Sequence, residues 1–359
     1  MTKPELKERI ISLKLSPSGF SVKGVVIICL VFGLASAGCK KPDFIDKNQE
    51  AKELSSFETM PDSSFFAAVE EIVFADGQYY FADYKRNLVY HCTEDFQVIS
   101  KFGQKGKGPR DLNGPNGINV NSQFFFVWEE FNQRISAFSK TDHSFSRIFP
   151  NDFKGVLYSG RVIDDSLNLY CSGRSPEGPL MLINLDSKQI TVFGKFTPSS
   201  DPREQRANNR YHVCQAGNFI LAVHQSRPII EVYRKETLEL VETFDYSNLQ
   251  VARSRTDYAA HDIAADPNNR YATYMIASDI VVSGDYLYLL VCDNLDPEKA
   301  YNNKIIRIKV RGSRLVYDKT LILNNKDETL WFTAFTVNSH NQIVAYSPQT
   351  MKFYLFSQD

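Results

Sequence analysis

Sulphur-containing residues, tryptophan and catalytic signatures are scarce in this sequence. The 359 residues include six Cys, five Met and two Trp, and no two Cys have the short spacing typical of zinc or redox sites. Neither a Gly-x-Ser-x-Gly elbow nor a His-Glu-x-x-His motif occurs, so the usual parts for acyl transfer and zinc proteolysis are missing. The six His are scattered, with no ligand pair among them. We therefore predict no metal site and no cofactor.

An excess of charge of one sign is also missing. Lys and Arg number 41 against 42 Asp and Glu, for a net charge of -1. No basic run is interleaved with aromatic residues in the way that a phosphate backbone requires. The composition therefore argues against a nucleic-acid partner.

A basic segment followed by an apolar one opens the chain. Residues 1–23 contain five basic residues, which are Lys3, Lys7, Arg9, Lys14 and Lys23. The uncharged run from Gly24 to Gly38 is shorter than the ~20 residues that a permanent membrane-spanning helix needs. This arrangement is typical of a cleaved export signal.

The apolar run ends in Leu34-Ala35-Ser36-Ala37-Gly38-Cys39, which resembles the lipobox of bacterial lipoproteins. The resemblance implies cleavage before Cys39 and attachment of lipid to its thiol. We thus predict a signal peptide at 1–38, a lipidated Cys39 with a polar tether at 39–53, and a cell-envelope location on the periplasmic side or the cell surface. An ordinary signal peptide and a retained anchor are the alternatives.

Four cysteines remain in the mature part of the chain, namely Cys92, Cys171, Cys214 and Cys292. Each lies in or near an apolar strand pattern. Small packed side chains explain them better than disulfides do, although an exported protein would permit both.

The mature part is rich in aromatic residues, at 13% of the sequence, and repeats one pattern six times. A short apolar strand is followed by a tight polar turn, a second aromatic or aliphatic strand, a longer loop and an alternating third strand. The six first turns are Asp76-Gly77, Ser122-Gln123, Asp164-Asp165, Gly217-Asn218, Gly284-Asp285 and Ser339-His340. Their spacing, from about 43 to about 67 residues, brackets the length of four-stranded propeller blades.

The repeat predicts an all-β fold, a six-bladed β-propeller with four-stranded blades over residues 54–359. The sixth copy stops without a fourth strand, which would leave an exposed edge. The segment from Leu54 to Met60 precedes the first copy and has no partner of its own. We expect it to close the ring as an N-terminal strand.

Short motifs connect this pattern with known propellers. Asp83–Tyr90 resembles the strand join of NHL and YWTD propellers, and Phe102–Pro109 resembles the glycine-rich loop of TolB-like six-bladed propeller lipoproteins of Gram-negative envelopes. Phe57-Glu58-Thr59 and Ser283–Tyr286 are similar to two further segments of that family. The resemblance implies the fold and an envelope location, and it implies no settled function.

Ligands of propellers commonly bind where the loops between second and third strands converge. The ligand-face candidates in these loops are Arg86, Trp128, Glu129, Arg174, His224, Arg227 and Asp293. Trp128 lies beside two carboxylates and could stack on a sugar ring or anchor a protein partner. The alternative for Trp128 is packing between blades.

Two functions remain open at this stage. The first is a non-catalytic binding or scaffolding lipoprotein, a monomer with a protein or glycan partner. The second is a metal-dependent propeller enzyme of the lactonase, lyase or glycan-cleaving type. Acidic residues or His that converge from several blades on one point of the channel would favour the enzyme.

Overall fold

The computed structural model describes residues 45–150, 162–173, 175–199, 201–272, 274–296, 299–328 and 331–358. The predicted signal peptide at 1–38, the predicted lipidation site Cys39 and the ligand-face candidate Arg174 lie outside these residues.

Most of the described chain forms units of four antiparallel strands in which each strand pairs with the next. The first unit contains β2 (Val69–Ala75), β3 (Gln78–Asp83), β4 (Leu88–Thr93) and β5 (Val98–Phe102). The second unit contains β6 (Pro115–Val120), β7 (Phe124–Glu129), β8 (Arg134–Ser139) and β9 (Phe145–Pro150). The third unit contains β10 (Val162–Ile163), β11 (Asn168–Ser172), β12 (Leu180–Asn184) and β13 (Ile190–Phe193). The fourth unit contains β14 (Tyr211–Ala216), β15 (Phe219–His224), β16 (Ile229–Arg234) and β17 (Leu240–Asp245).

The remaining strands form a single eight-stranded sheet. One half, the fifth unit, contains β18 (Ala277–Ser283), β19 (Tyr286–Asp296), β20 (Lys299–Arg311) and β21 (Arg314–Asn324). The other half, the last unit, contains β22 (Ala334–Val337), β23 (Ile343–Ser347), β24 (Lys352–Ser357) and the N-terminal strand β1 (Asn48–Phe57).

The first strands of the units form a ring. Each of them contacts the first strand of the next unit, from β2 through β6, β10, β14 and β18 to β22, and β22 contacts β2. The sheets are therefore arranged radially around a central channel. This arrangement is a β-propeller, as the sequence predicts.

The prediction of six separate four-stranded blades is wrong in one respect, which is the pairing of β1. This strand pairs antiparallel with β24 over Lys52–Phe57 and parallel with β21 over Asn48–Lys52, so the fifth and last units share one sheet. The structure thus has four four-stranded sheets and one sheet of eight strands. β1 also begins at Asn48, inside the segment that the sequence analysis assigns to the tether.

Aromatic side chains fill the spaces between units. Between the last and first units, the ring centroid of Phe353 lies 4.7 Å from that of Phe66 and 5.2 Å from that of Phe81, and all three side chains are buried. Burial of such a side chain stabilises the fold by ~1.5–3 kcal/mol. The core therefore holds neighbouring sheets together face to face.

In the described residues two α-helices interrupt the strands, and the sequence analysis did not predict them. Helix α1 (Pro202–Asn208) begins after Asp201, whose carboxylate accepts a hydrogen bond from the Arg203 backbone N–H at 2.8 Å. Helix α2 (Gln250–Ala265) is followed by a 3₁₀ helix at Pro267–Tyr271. At the start of this helix, the Asp46 carboxylate accepts a hydrogen bond from the Gln250 N–H. The helix dipole favours a negative charge at this end.

No helix in the described part of the chain has both the length and the hydropathy needed to cross a membrane. The four cysteines that remain after Cys39 all lie in described residues, and all four are free thiols. Burial raises the pKa of Cys92 to about 12 and that of Cys292 to about 11. The interpretation as packed side chains rather than disulfides is confirmed.

Candidate functional site

Buried polar residues end five of the second strands. They are Asp83, Glu129, Ser172, His224 and Ser347. A buried polar group is costly unless it is hydrogen-bonded, and these side chains mostly bind the backbone of adjacent loops. Asp83, for example, accepts hydrogen bonds from the N–H groups of Ala67, Ala68 and Arg86 at 2.8–3.2 Å. They therefore fix the connections between strands.

Glu129 is one of these anchors rather than a free ligand-face carboxylate. Its Oε1 accepts hydrogen bonds from Arg134 at 2.7 Å and Ser136 at 2.5 Å, and its Oε2 accepts them from the Asn113 backbone N–H and the Asn132 amide. Because Glu129 is buried and both oxygens are engaged, the sequence expectation that it faces a ligand is corrected.

The Glu129–Arg134 pair holds the glycine-rich loop. The Arg134 guanidinium donates to the backbone carbonyls of Lys107, Gly108 and Asp111 at 2.8–3.0 Å. At the start of the loop, Gly103 has φ 107°, and a Cβ there would lie 2.5 Å from the Asn87 carbonyl oxygen. The loop is thus a tight crossing between the first two units.

Asp293 and Trp128 are also engaged inside the protein. The Asp293 carboxylate forms a buried ion pair with Lys304. The indole of Trp128 is 4% exposed, packs with Ile135 and other residues of the second and third units, and donates to Asn119 Oδ1 at 3.0 Å. Trp128 therefore occupies the core between units, which is the alternative that the sequence left open.

His224 and Arg227 lie together at the end of β15. The ring of His224 is 4.0 Å from that of Tyr211, and its Nε2 is 3.9 Å from Glu231 Oε1. Burial lowers the pKa of His224, against the opposing effect of Glu231, so the imidazole is neutral at pH 7. Its Nδ1 has no hydrogen-bond partner among the described residues. The Arg227 guanidinium donates to Thr197 Oγ1.

Among the described candidates, only Arg86 is exposed. It lies on the turn between β3 and β4, away from the His224 and Arg227 pair. The structure thus brings only two of the described sequence-predicted candidates into one cluster.

The central channel contains a cavity of about 200 Å³ lined by residues of all six first strands. Glu71 accepts a hydrogen bond from the Ile118 N–H at 2.9 Å, and Asp279 accepts hydrogen bonds from Phe335 and Ile280 N–H groups at 3.1 and 2.8 Å. Burial, together with the nearby charge of Glu71, raises the pKa of Asp279 well above its usual value. Within the described residues, no group of three or more His, Cys, Asp or Glu could hold a metal ion.

A larger groove lies between the last and first units, with a volume of about 760 Å³. We call it the junction groove. Its lining residues are Ser55, Phe57, Thr59, Met60, Pro61, Ser63, Glu94, Asp95, Phe96, Asn338, His340, Gln342 and Leu355. They come from β1, the loop after it, the turn between β4 and β5, and the last unit.

The rim of the junction groove is fixed by Glu94. Its Oε1 accepts hydrogen bonds from the Ser339 N–H at 3.0 Å and the Ser339 hydroxyl at 2.6 Å, and it lies 3.1 Å from His340 Nδ1. The two turns on either side of the groove are therefore joined. Asp95 next to it is exposed, and the imidazole of His340 is 69% exposed.

Sequence reasoning missed the junction groove. The segment Leu54–Met60 is predicted to close the ring beside the last unit, and β1 does pair with β24. Ser339-His340 is predicted only as a hairpin turn. No local signal shows that this turn, the turn between β4 and β5 and the closing strand enclose a groove.

Comparison with known proteins finds similar structures but no related sequences. No protein-family model and no curated protein matches the chain. The structure is similar to that of a predicted exported protein from Bacteroides fragilis, with a TM-score of 0.56 and 12% identity over 87% of this chain and 98% of that one. The β-propeller domain of Cps50 (Swd1) from Myceliophthora thermophila aligns with a TM-score of 0.48 and 9% identity, over 86% of this chain and 100% of that one.

Proposed function

We propose that this chain is an exported, lipid-anchored propeller of the cell envelope that binds a protein or glycan partner without catalysis, and that its binding site is the junction groove. The basic and apolar segments before Cys39 support export and anchoring. Similarity to a predicted exported protein agrees with that location. The motifs at Asp83–Tyr90 and Phe102–Pro109 support kinship with TolB-like and NHL-like propeller lipoproteins.

The junction groove carries the proposal. Its volume of about 760 Å³ lies in the range of 300–1,000 Å³ found for small-molecule sites. Phe57, Phe96 and Met60 provide an apolar floor, whereas Asn338, Gln342 and Glu94 provide polar groups at the edge. Such a combination supplies both contact area and orientation for a ligand.

Catalysis is the second candidate function, and the channel pair Glu71 and Asp279 is the observation that favours it. A raised pKa on a buried carboxyl is found at many catalytic sites. Each of these carboxylates also accepts backbone N–H groups from a neighbouring first strand, which is a sufficient structural role for both. Screening lactone, glycan and peptide substrates with and without a chelator tests the alternative, and chelator-sensitive turnover would establish it.

The anchor is tested by Cys39→Ser. We expect the variant to fractionate with soluble envelope proteins, whereas the wild-type chain remains with membranes. If processed Cys39→Ser protein still fractionates with membranes, the lipid anchor at this residue is wrong.

The groove is tested by filling it. Ser55 is exposed on β1, so Ser55→Trp should obstruct the groove without disturbing the core. Full-length protein in detergent would be screened on arrays of envelope glycans and envelope-protein peptides. We expect Ser55→Trp to abolish the binding that wild type shows. The control is Ser166→Trp, in a separate hollow of about 380 Å³, and it should bind as wild type does. Equal binding by all three proteins would remove the groove from the proposal.

A further inference from the structure

The junction groove is electrostatically one-sided. Of the thirteen described residues that line it, Glu94 and Asp95 carry carboxylates and none is a lysine or arginine. Glu94 is held by Ser339 and His340, while Asp95 is exposed and forms no ion pair with any described residue. A ligand in the groove therefore meets the exposed carboxylate of Asp95, with no lysine or arginine in the lining to balance it.

This negative charge reaches the floor of the groove. The pKa of Tyr79, which stacks on Phe96 at 4.4 Å, is raised first by burial and then by the charges of Glu94 and Asp95. Low-polarity surroundings strengthen such interactions relative to water. The same field would attract a cation that entered the groove.

The floor is aromatic. The rings of Phe57 and Phe96 are in edge contact at 4.7 Å, and Phe57 also stacks on Phe353 at 5.5 Å. Phe57 is only half-buried, so a ligand can reach its face. Aromatic faces attract cations, and they also accept the methylene stem of a long basic side chain.

We propose that the junction groove binds a lysine- or arginine-bearing segment of a protein partner, with the apolar stem on Phe57 and the cationic head at Asp95. The inference rests on the proposed binding function and names the class of its ligand. Lys and Arg combine a long apolar stem with a terminal positive charge. An acidic segment would be repelled, and an uncharged glycan could donate hydrogen bonds to Asp95 but would form no ion pair with it.

The test uses full-length protein in detergent and three labelled peptides of equal length. One alternates Lys with Phe, one alternates Gln with Phe, and one alternates Glu with Phe. Fluorescence anisotropy should show the strongest binding for the Lys peptide and none for the Glu peptide. Binding of the Lys peptide should weaken when NaCl is raised from ~50 to ~500 mM, because salt screens exposed charges.

Two variants assign the effect to the groove. Asp95→Asn should weaken binding of the Lys peptide about fivefold, the effect of one exposed charge pair, and should leave the Gln peptide unchanged. Asp186→Asn, at an exposed carboxylate paired with Arg147, is the matched control and should have no effect. Ser55→Trp should abolish binding of the Lys peptide.

The outcomes separate this inference from the proposed function. One outcome would reject only the cationic specificity. In that case Ser55→Trp blocks an array ligand, but the Lys and Gln peptides bind equally and Asp95→Asn has no effect. The proposal that the groove is a binding site would then still stand. If the Lys peptide binds equally to wild type and Ser55→Trp, its site lies elsewhere and the inference is overturned. Preferential binding of an uncharged glycan in the groove would also overturn it.

Discussion

Acidification should weaken the junction between the first and second units, because His91 is packed against groups that disfavour its protonation. His91 Nδ1 lies 2.6 Å from His143 Nε2, and its Nε2 lies 2.7 Å from Gln78 Oε1. Its ring stacks on Tyr80 at 4.3 Å. Burial, with smaller effects of His143 and Lys140, lowers the pKa of His91 to about 4.

The sign and size follow from proton linkage. His91 has an ordinary pKa of 6.5 when the chain is unfolded. Between pH 6.5 and about 4 the unfolded chain therefore binds a proton that the folded chain does not, and stability falls as the pH falls. At about pH 4.5 the loss relative to neutral pH is ~2.5 kcal/mol from this residue alone.

Chemical denaturation of wild type and His91→Gln at several pH values measures the effect. The difference in unfolding free energy between the two proteins should change by ~2.5 kcal/mol from about pH 7 to about pH 4.5. Comparison with the variant removes the contribution of other titrating groups. These groups include His143, whose pKa is lowered by burial, raised by Asp142 and lowered by Arg110.

His340→Gln, at an exposed His on the rim of the junction groove, controls for the effect of a His-to-Gln exchange on stability at neutral pH. Parallel curves for wild type and His91→Gln, or an NMR titration of His91 with a midpoint above about 6, would refute the reasoning.

Three further predictions concern the structural anchors. Glu129→Gln should destabilise the domain by ~3–5 kcal/mol because it leaves buried Arg134 without its counter-ion. Hydrogen exchange should also show faster opening of the glycine-rich loop. The control Asp186→Asn, at an exposed carboxylate, should cost less than ~1 kcal/mol of stability. Gly103→Ala should lower the melting temperature, since its Cβ would collide with a carbonyl oxygen, and unchanged melting would contradict the strained crossing. Deletion of residues 48–57 should expose the edges of β24 and β21 and promote association of the protein, which light scattering would measure. A deletion variant that stays monomeric and as stable as wild type would disprove closure by β1.

The strand repeat could be predicted from the sequence because the patterns that define it lie within short segments of the chain. Alternating apolar residues and turn pairs such as Asp76-Gly77, both with positive φ, depend only on neighbours in the chain. The sharing of one sheet by the last two units depends instead on the pairing of Asn48–Lys52 with β21. That pairing joins segments that are far apart in sequence, and no local pattern specifies it.

Helix α2 was missed for a different reason. Only Val251 and Ala252 of its residues are buried, so it has no continuous apolar stripe by which a surface helix is usually recognised. Its stability comes partly from contacts outside the helix, such as the Asp46 carboxylate at its start and Arg255, which donates to the Met275 carbonyl at 3.0 Å.

The candidate site shows the same limit. Polar residues at the ends of second strands suggested a ligand face, yet Glu129 and Asp293 turned out to be satisfied within the protein. Sequence gives the position of a residue in a loop and cannot give the direction of its side chain. The closing strand was predicted but the junction groove was not, because its shape depends on a loop and two turns from separate parts of the chain.

The two partners of β1 also determine how the domain would respond to mechanical force. A pull on the chain before residue 45 first loads the contact between Asp46 and helix α2. Beyond it, the force runs along β1, which pairs first with β21 over Asn48–Lys52 and then with β24 over Lys52–Phe57. A pull along the strand loads these hydrogen bonds together rather than one after another. If the proposed anchor holds the chain by its N-terminus, tension would therefore pass through β1 into the sheet that the fifth and last units share.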